Sequence, residues 1–132
     1  MSAVVKAATA ARYTLGGIRI LNGGLGLLAP EFIIRRFGDE KPDANPAAVY
    51  GLRLFGIRTI LLGLDLFRLR RPELDRATRA AVLIHASDTV TVLVLKQRRQ
   101  LGADRARPLL LISGLNTLLA VVAATASRRT RS

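Results

Sequence analysis

The sequence predicts an all-α protein, a four-helix transmembrane bundle with up-and-down topology. Four apolar stretches of 17 to 21 residues predict this fold. A hydrocarbon core of about 30 Å needs roughly 20 residues of helix per crossing. Each stretch is also too long and too unbroken for the period-two alternation of a strand. The stretches are residues 13–29, 47–67, 77–95 and 108–126.

The first apolar stretch follows a short basic leader, residues 1–12. The leader resembles the start of a signal peptide, but residues 28–31 contain a proline and offer no small-x-small cleavage site. We therefore expect the first helix to be retained. Residues 31–37 form an amphipathic segment, which predicts a short helix lying along the membrane interface.

Prolines mark the connections between the later helices. A hydrophilic turn is expected over residues 39–46, and Pro46 suits the first position of the second helix, where its missing N–H costs nothing. Pro72 marks the next connection, and Asp75 is expected to cap the third helix. After a turn over residues 102–108, Pro108 is expected near the start of the fourth helix.

Composition excludes several classes of function. The 132 residues, half of them apolar, leave little room beyond four crossings and indicate one domain, residues 1–132. The absence of cysteine excludes disulfides and thiolate metal sites. The formal net charge of +12 would suit nucleic acid if it formed one face. Most basic residues lie between the apolar stretches instead, which favours contact with anionic membrane lipids and no nucleic acid.

Glycines are spaced along one face of each of the first two long helices. Gly16, Gly23 and Gly26 share a face, as do Gly56 and Gly63. Small residues at such spacing let helix backbones approach closely. We interpret them as packing positions within the bundle, with homo-oligomer formation or binding of a membrane protein partner as the alternative.

Ionisable and amide side chains are predicted to form one layer at mid-depth. If the helices alternate in direction, the rise of 1.5 Å per residue places six of these residues within about 3 Å of the midplane and Arg53 about 6 Å away. Asp88 then falls between the levels of Arg53 and Arg58, so an arginine–carboxylate pair is expected. The six residues are Arg19, Asn22, Arg58, His85, Asp88 and Asn116.

The charge in this layer does not balance. Arg19, Arg53 and Arg58 face the single carboxylate of Asp88, because Asp65 lies near a membrane surface and is expected to pair with Arg68. Excess positive charge inside a membrane is costly, which favours an anionic ligand or the acid of a partner subunit. The alternative is that Arg19 and Arg53 extend to the interfaces while Arg58 and Asp88 act only as a folding clamp.

Catalytic groups are scarce. His85 and Asp88 lie one helical turn apart and have the spacing of a general base and its orienting carboxylate, but no nucleophile accompanies them. One histidine without cysteine makes no ordinary zinc, iron or haem site. We therefore expect a hydrogen-bonded core histidine, no metal, no cofactor and, on balance, no enzyme.

Two short motifs carry a family resemblance. They are Gly51-x-Arg53-x-x-Gly56-x-Arg58 with Gly63 further along the same helix, and His85-x-x-Asp88 in the next helix. Over residues 15–95 the chain resembles the small four-helix membrane proteins of unknown function common in actinobacteria, which are DoxX-like in architecture. The resemblance implies a four-helix integral membrane fold with an Arg and Asp core, and it implies no reaction.

The sequence favours a small integral membrane protein that acts as an accessory or assembly subunit of an envelope or transport complex. The alternative is a binder or enzyme for a lipophilic anion (a fatty acid, lipid phosphate or quinone), with Arg19, Arg53 and Arg58 holding the head group. A lateral cavity between helices would favour the alternative, and a filled core the first function.

Composition and charge placement also predict a location. Eighteen of the 21 basic residues are arginine, as in GC-rich bacterial genomes, so we expect the bacterial cytoplasmic (inner) membrane. With both termini on one side, that side holds ten basic residues and the other eight. The difference favours cytoplasmic termini under the positive-inside rule.

Overall fold

The computed structural model describes residues 2–37, 41, 43 and 45–129, with side chains to residue 126. This part of the chain folds into five helices and contains no strand, which confirms the all-α bundle. The turn expected over residues 39–46 and the side chains of the basic tail lie largely outside the described residues. The helices are α1 (Ala3–Leu28), α2 (Pro30–Phe37), α3 (Pro46–Arg68), α4 (Glu73–Gln97) and α5 (Ala103–Arg129).

The helix starts follow the sequence at α3 but not at α4 or α5. Asn45 caps α3 by accepting a hydrogen bond from the backbone N–H of Ala48 at 3.0 Å, and Pro46 occupies the first helical position as expected. Asp75 was expected to cap α4, but the helix begins two residues earlier, so the Asp75 carboxylate instead accepts a hydrogen bond from Arg71. Pro108 lies inside α5, which begins at residue 103 rather than 108.

The four long helices run up and down in chain order, but their packing is unequal. Helix α1 packs most extensively on α3, α5 packs on both α4 and α1, and the consecutive helices α3 and α4 touch little. A weakly packed side therefore remains between α3 and α4.

Glycines bring α1 and α3 together. A Cβ atom added at Gly23 would lie 2.6 Å from the carbonyl oxygen of Gly56, and one added at Gly63 would lie 2.8 Å from the carbonyl oxygen of Gly16. Any side chain at these positions would push the two helices apart. The glycine faces predicted from the sequence thus pack within the chain.

One half of the bundle has a filled core. This half holds the ends of α1 and α5 that lie towards the chain termini, together with the connection between α3 and α4. Its central residues form one apolar cluster, and Leu15 and Leu66 are almost fully inaccessible. The other half contains the cavity described below. The cluster consists of Leu15, Leu66, Leu74, Ala81 and Ala120.

The helices have the length and hydropathy of a multi-pass membrane protein. Within the described residues, α3, α4 and α5 are each long and apolar enough to cross a membrane. Helices α1 and α2 meet that requirement together and are bent by 96° where they join. The described chain therefore has three such helices, or up to four if the bent pair is one span.

Candidate functional site

A cavity of about 390 Å³ occupies the half of the bundle that the apolar cluster leaves open. All five helices contribute to its wall, and it lies on the side where α3 and α4 touch little. Its volume is within the range of about 300–1,000 Å³ that is usual for small-molecule sites. The lining residues are Arg19, Asn22, Leu25, Phe32, Ile33, Phe37, Leu52, Phe55, Thr59, Leu62, Ile84, His85, Asp88, Val92, Leu109, Ile112, Ser113 and Asn116.

The two ends of the cavity differ in polarity. The inner end adjoins the filled core at mid-bundle and contains every polar residue of the lining, while the outer end, towards α2, is wholly apolar. Helix α2 supplies Phe32, Ile33 and Phe37, and α3 supplies Leu52 and Phe55. The cavity is therefore amphipathic along the bundle axis.

Arg19 is the buried cation of the inner end. It lies on the face of α1 that carries Gly16 and Gly23, and only 3% of its surface is exposed. Its Nε donates a hydrogen bond to Nε2 of His85 at 3.1 Å, and its Nη1 donates to the carbonyl oxygen of Leu62 at 3.4 Å. These contacts join α1 to α4 and α3 at mid-depth.

The hydrogen bond from Arg19 fixes the tautomer of His85. An arginine nitrogen can only donate, so Nε2 of His85 must accept, and the ring is neutral with its proton on Nδ1. That Nδ1 lies 3.6 Å from the Oδ2 atom of Asp88, too far for a hydrogen bond. The Asp88 side chain is 55% exposed, whereas that of His85 is 7% exposed.

Three buried polar atoms at the inner end have no hydrogen-bond partner among the described residues. They are Nη2 of Arg19, Nδ1 of His85 and Oδ1 of Asn116. A buried donor or acceptor left unpaired costs about 1–3 kcal/mol, so such atoms are rare in folded proteins. All three residues line the same cavity, and a polar group placed there would relieve several of these costs at once.

The structure brings five of the seven residues of the predicted polar layer to one cavity, Asn22 among them. Arg19, His85, Asp88 and Asn116 line the cavity, but Arg53 and Arg58 are exposed and lie outside it. The expected pair of Arg58 with Asp88 does not form between these described residues, because α3 packs on α1 instead of closing onto α4. The expected pair of Asp65 with Arg68 is confirmed at 3.4 Å.

Several lining residues went unrecognised in the sequence. Ser113 and Thr59 were not predicted as site residues, and α2 was expected only to lie along the interface. The spacing of α2 offered a signal, because Phe32, Ile33 and Phe37 lie on one face of a short amphipathic helix. Among the described residues, no three His, Asp or Glu side chains group as metal ligands.

Comparison with protein-family models, curated proteins and solved structures finds no match to this chain. The resemblance to DoxX-like membrane proteins therefore stays an expectation from the sequence.

Proposed function

We propose that this protein binds a lipophilic molecule inside its helix bundle, with the polar head group of the ligand at Arg19 and the apolar part towards α2. The observation that carries the proposal is the amphipathic cavity whose inner end holds three unpaired buried polar atoms. Ligand sites of this kind combine a mostly apolar wall with a few convergent polar groups. Fatty acids, lipid phosphates and quinones are the ligands expected from the sequence, before the charge and hydrogen-bonding capacity of the inner end are considered.

The weakly packed side between α3 and α4 suits ligand uptake from the bilayer. A lipophilic molecule partitions into the membrane, so a site reached from the side requires no passage through water. The apolar side chains at the outer end can take the tail, while Arg19 supplies a charge-assisted hydrogen bond to the head group. The proposal assigns no reaction to the site.

The test is the identity and amount of lipophilic material that co-purifies with the protein in mild detergent. Thr59→Phe adds an aromatic ring to the cavity wall, and Thr91→Phe makes the same change at an exposed position of α4 outside the lining. We expect the wild type and Thr91→Phe to retain one class of compound in a constant ratio to protein, and Thr59→Phe to lose it. Equal retention by all three proteins would contradict the proposal.

A second candidate function is that of an accessory or assembly subunit of a membrane complex. Arg58 favours it, because this exposed cation lies one residue from the centre of α3 and makes no ion pair with the described residues. An acidic side chain of a partner helix would offset the cost of such a charge in lipid. Purification of the intact complex with wild-type protein, and its loss in Arg58→Leu but not in Arg53→Leu, would support this candidate.

We propose the bacterial cytoplasmic membrane as the location, with both chain ends on the cytoplasmic side. The up-and-down order supports the common side, since α1 begins and α5 ends at the same end of the bundle. The excess of basic residues on that side supports its orientation towards the cytoplasm.

A further inference from the structure

We infer that the head group bound in the cavity is uncharged and both accepts and donates hydrogen bonds, as a hydroxyl does, and that anionic head groups are disfavoured. The inference rests on the proposed function and names the ligand class of the same site. It follows from the number of unpaired donors and acceptors and from the charge at the inner end.

The unpaired atoms match the capacity of a hydroxyl. Nη2 of Arg19 and Nδ1 of His85 are donors, and Oδ1 of Asn116 is an acceptor. A hydroxyl group has two acceptor lone pairs and one donor hydrogen, so its hydrogen-bonding capacity equals that of two donors and one acceptor. A carboxylate or a phosphate dianion has no hydrogen to donate and would leave the acceptor of Asn116 unpaired.

The charge at the inner end is already balanced. Arg19 contributes one positive charge, Asp88 contributes one negative charge, and His85 is neutral because its Nε2 accepts from Arg19. The excess of positive charge expected from the sequence came from Arg53 and Arg58. Both residues lie outside the cavity lining. A bound anion would therefore add a second negative charge beside Asp88 in a region of low dielectric.

The test compares two ligands with the same chain and different head groups, 1-dodecanol and dodecyl phosphate. Binding of each tritiated compound is measured by equilibrium dialysis of the protein in phosphatidylcholine nanodiscs, with empty nanodiscs as the blank. We expect the wild type to bind the alcohol at least about tenfold more tightly than the phosphate, the scale of the cost of leaving one buried acceptor unpaired. Thr59→Phe should bind neither compound above the blank.

Asp88→Asn removes the negative charge and keeps the size of the side chain. In this variant we expect the ratio of alcohol affinity to phosphate affinity to fall by about tenfold or to invert. The positive charge of Arg19 is then no longer offset, and it attracts an anion. The matched control is Asp104→Asn, an exposed carboxylate in the first turn of α5 and outside the lining. It should keep the wild-type preference.

The outcomes separate this inference from the proposed function. Tighter wild-type binding of the phosphate, or an unchanged preference in folded Asp88→Asn, would overturn the inference and leave the binding function standing. Binding of neither compound above the blank would overturn both. If Asp88→Asn does not fold, the wild-type preference between the two compounds alone decides whether the inference stands.

Discussion

Arg19 and His85 form the only hydrogen bond between two buried side chains on different helices within the described residues. Each donor of a buried cation that lacks a partner costs free energy, and removing a partner that it has is costly as well. His85 therefore stabilises the inner end of the cavity by accepting from Arg19.

This pair makes a prediction about stability. His85→Leu should lower the free energy of unfolding by about 1–3 kcal/mol, because the Nε of Arg19 loses its partner. The double variant Arg19→Leu with His85→Leu should recover part of that loss, since neither buried polar group remains. The measurement is thermal unfolding in detergent, and the loss of monodisperse protein with temperature is its readout. A double variant less stable than His85→Leu would contradict the pairing.

Replacing Arg58 is predicted to have the opposite effect from replacing His85. It is exposed near the centre of an apolar helix, where one arginine costs about 2.5–3.5 kcal/mol of insertion free energy. Arg58→Leu should therefore raise membrane-inserted yield or leave it unchanged in the isolated protein. A marked loss of folded protein on this change would instead support the pair of Arg58 with Asp88 that the sequence had indicated.

The sequence could distinguish these two arginines only in part. Depth along a helix follows from residue number, so the sequence can assign Arg19, Arg58, His85 and Asp88 to neighbouring levels. Direction around the helix depends on which helices pack together. Arg19 follows Gly16 by three residues and precedes Gly23 by four, which places it on the glycine face, whereas Arg58 follows Gly56 by two and points elsewhere. Spacing from the glycines thus indicates direction around the helix, and the prediction of the polar layer used depth alone.

At the scale of the helices, the contact between α1 and α3 is the most extensive among the described residues, and glycines allow the two backbones to touch. A Cβ atom at Gly56 would lie 2.5 Å from the carbonyl oxygen of Gly23, which is rigid backbone. The same helix offers a control at Gly51, where nothing lies within 4 Å. Gly56 and Gly51 lie on the same helix, but another helix packs only against Gly56.

We predict that substitutions at these two glycines have different effects on the stability of the protein. Gly56→Ala should destabilise the protein, because α1 and α3 must separate to admit the methyl group. Gly51→Ala should be neutral or stabilise it by about 0.5–1 kcal/mol, the usual gain in a helix interior. Thermal unfolding of both variants side by side gives the answer, and equal effects would argue against the backbone contact.

Helix boundaries show what hydropathy can and cannot predict. The apolar stretches correctly located all four long helices, but each helix extends beyond its stretch by between one and ten residues at its start. Backbone hydrogen bonding continues into polar turns such as residues 103–107, which a hydropathy criterion omits. For the same reason Asp75 and Pro108 fall inside helices that were expected to begin near them.

At the scale of the whole molecule, the bundle is filled at one end and hollow at the other. The sequence placed a polar layer at mid-depth but gave no indication of the hollow half, because a cavity arises from unequal helix packing and not from the composition of any one helix. The weak contact between α3 and α4 is the feature that creates it.

The arrangement predicts that both chain ends lie on one side of the membrane. Helices α1, α3, α4 and α5 alternate in direction, so an even number of crossings is expected. Reporters fused separately at the two ends should be active in the same compartment, and the excess of basic residues favours the cytoplasm. Reporter activity on opposite sides would mean that the bent α1–α2 pair does not complete a crossing.

The proposed function requires that Arg19, and not the arginines outside the cavity, holds the lipophilic ligand. The most direct measurement is the amount of lipophilic compound that co-purifies per mole of monodisperse wild type, Arg19→Leu and Arg58→Leu, three proteins prepared in parallel. We expect Arg19→Leu to lose most of the compound and Arg58→Leu to retain the wild-type amount. Equal retention by all three proteins, or a loss confined to Arg58→Leu, would contradict it.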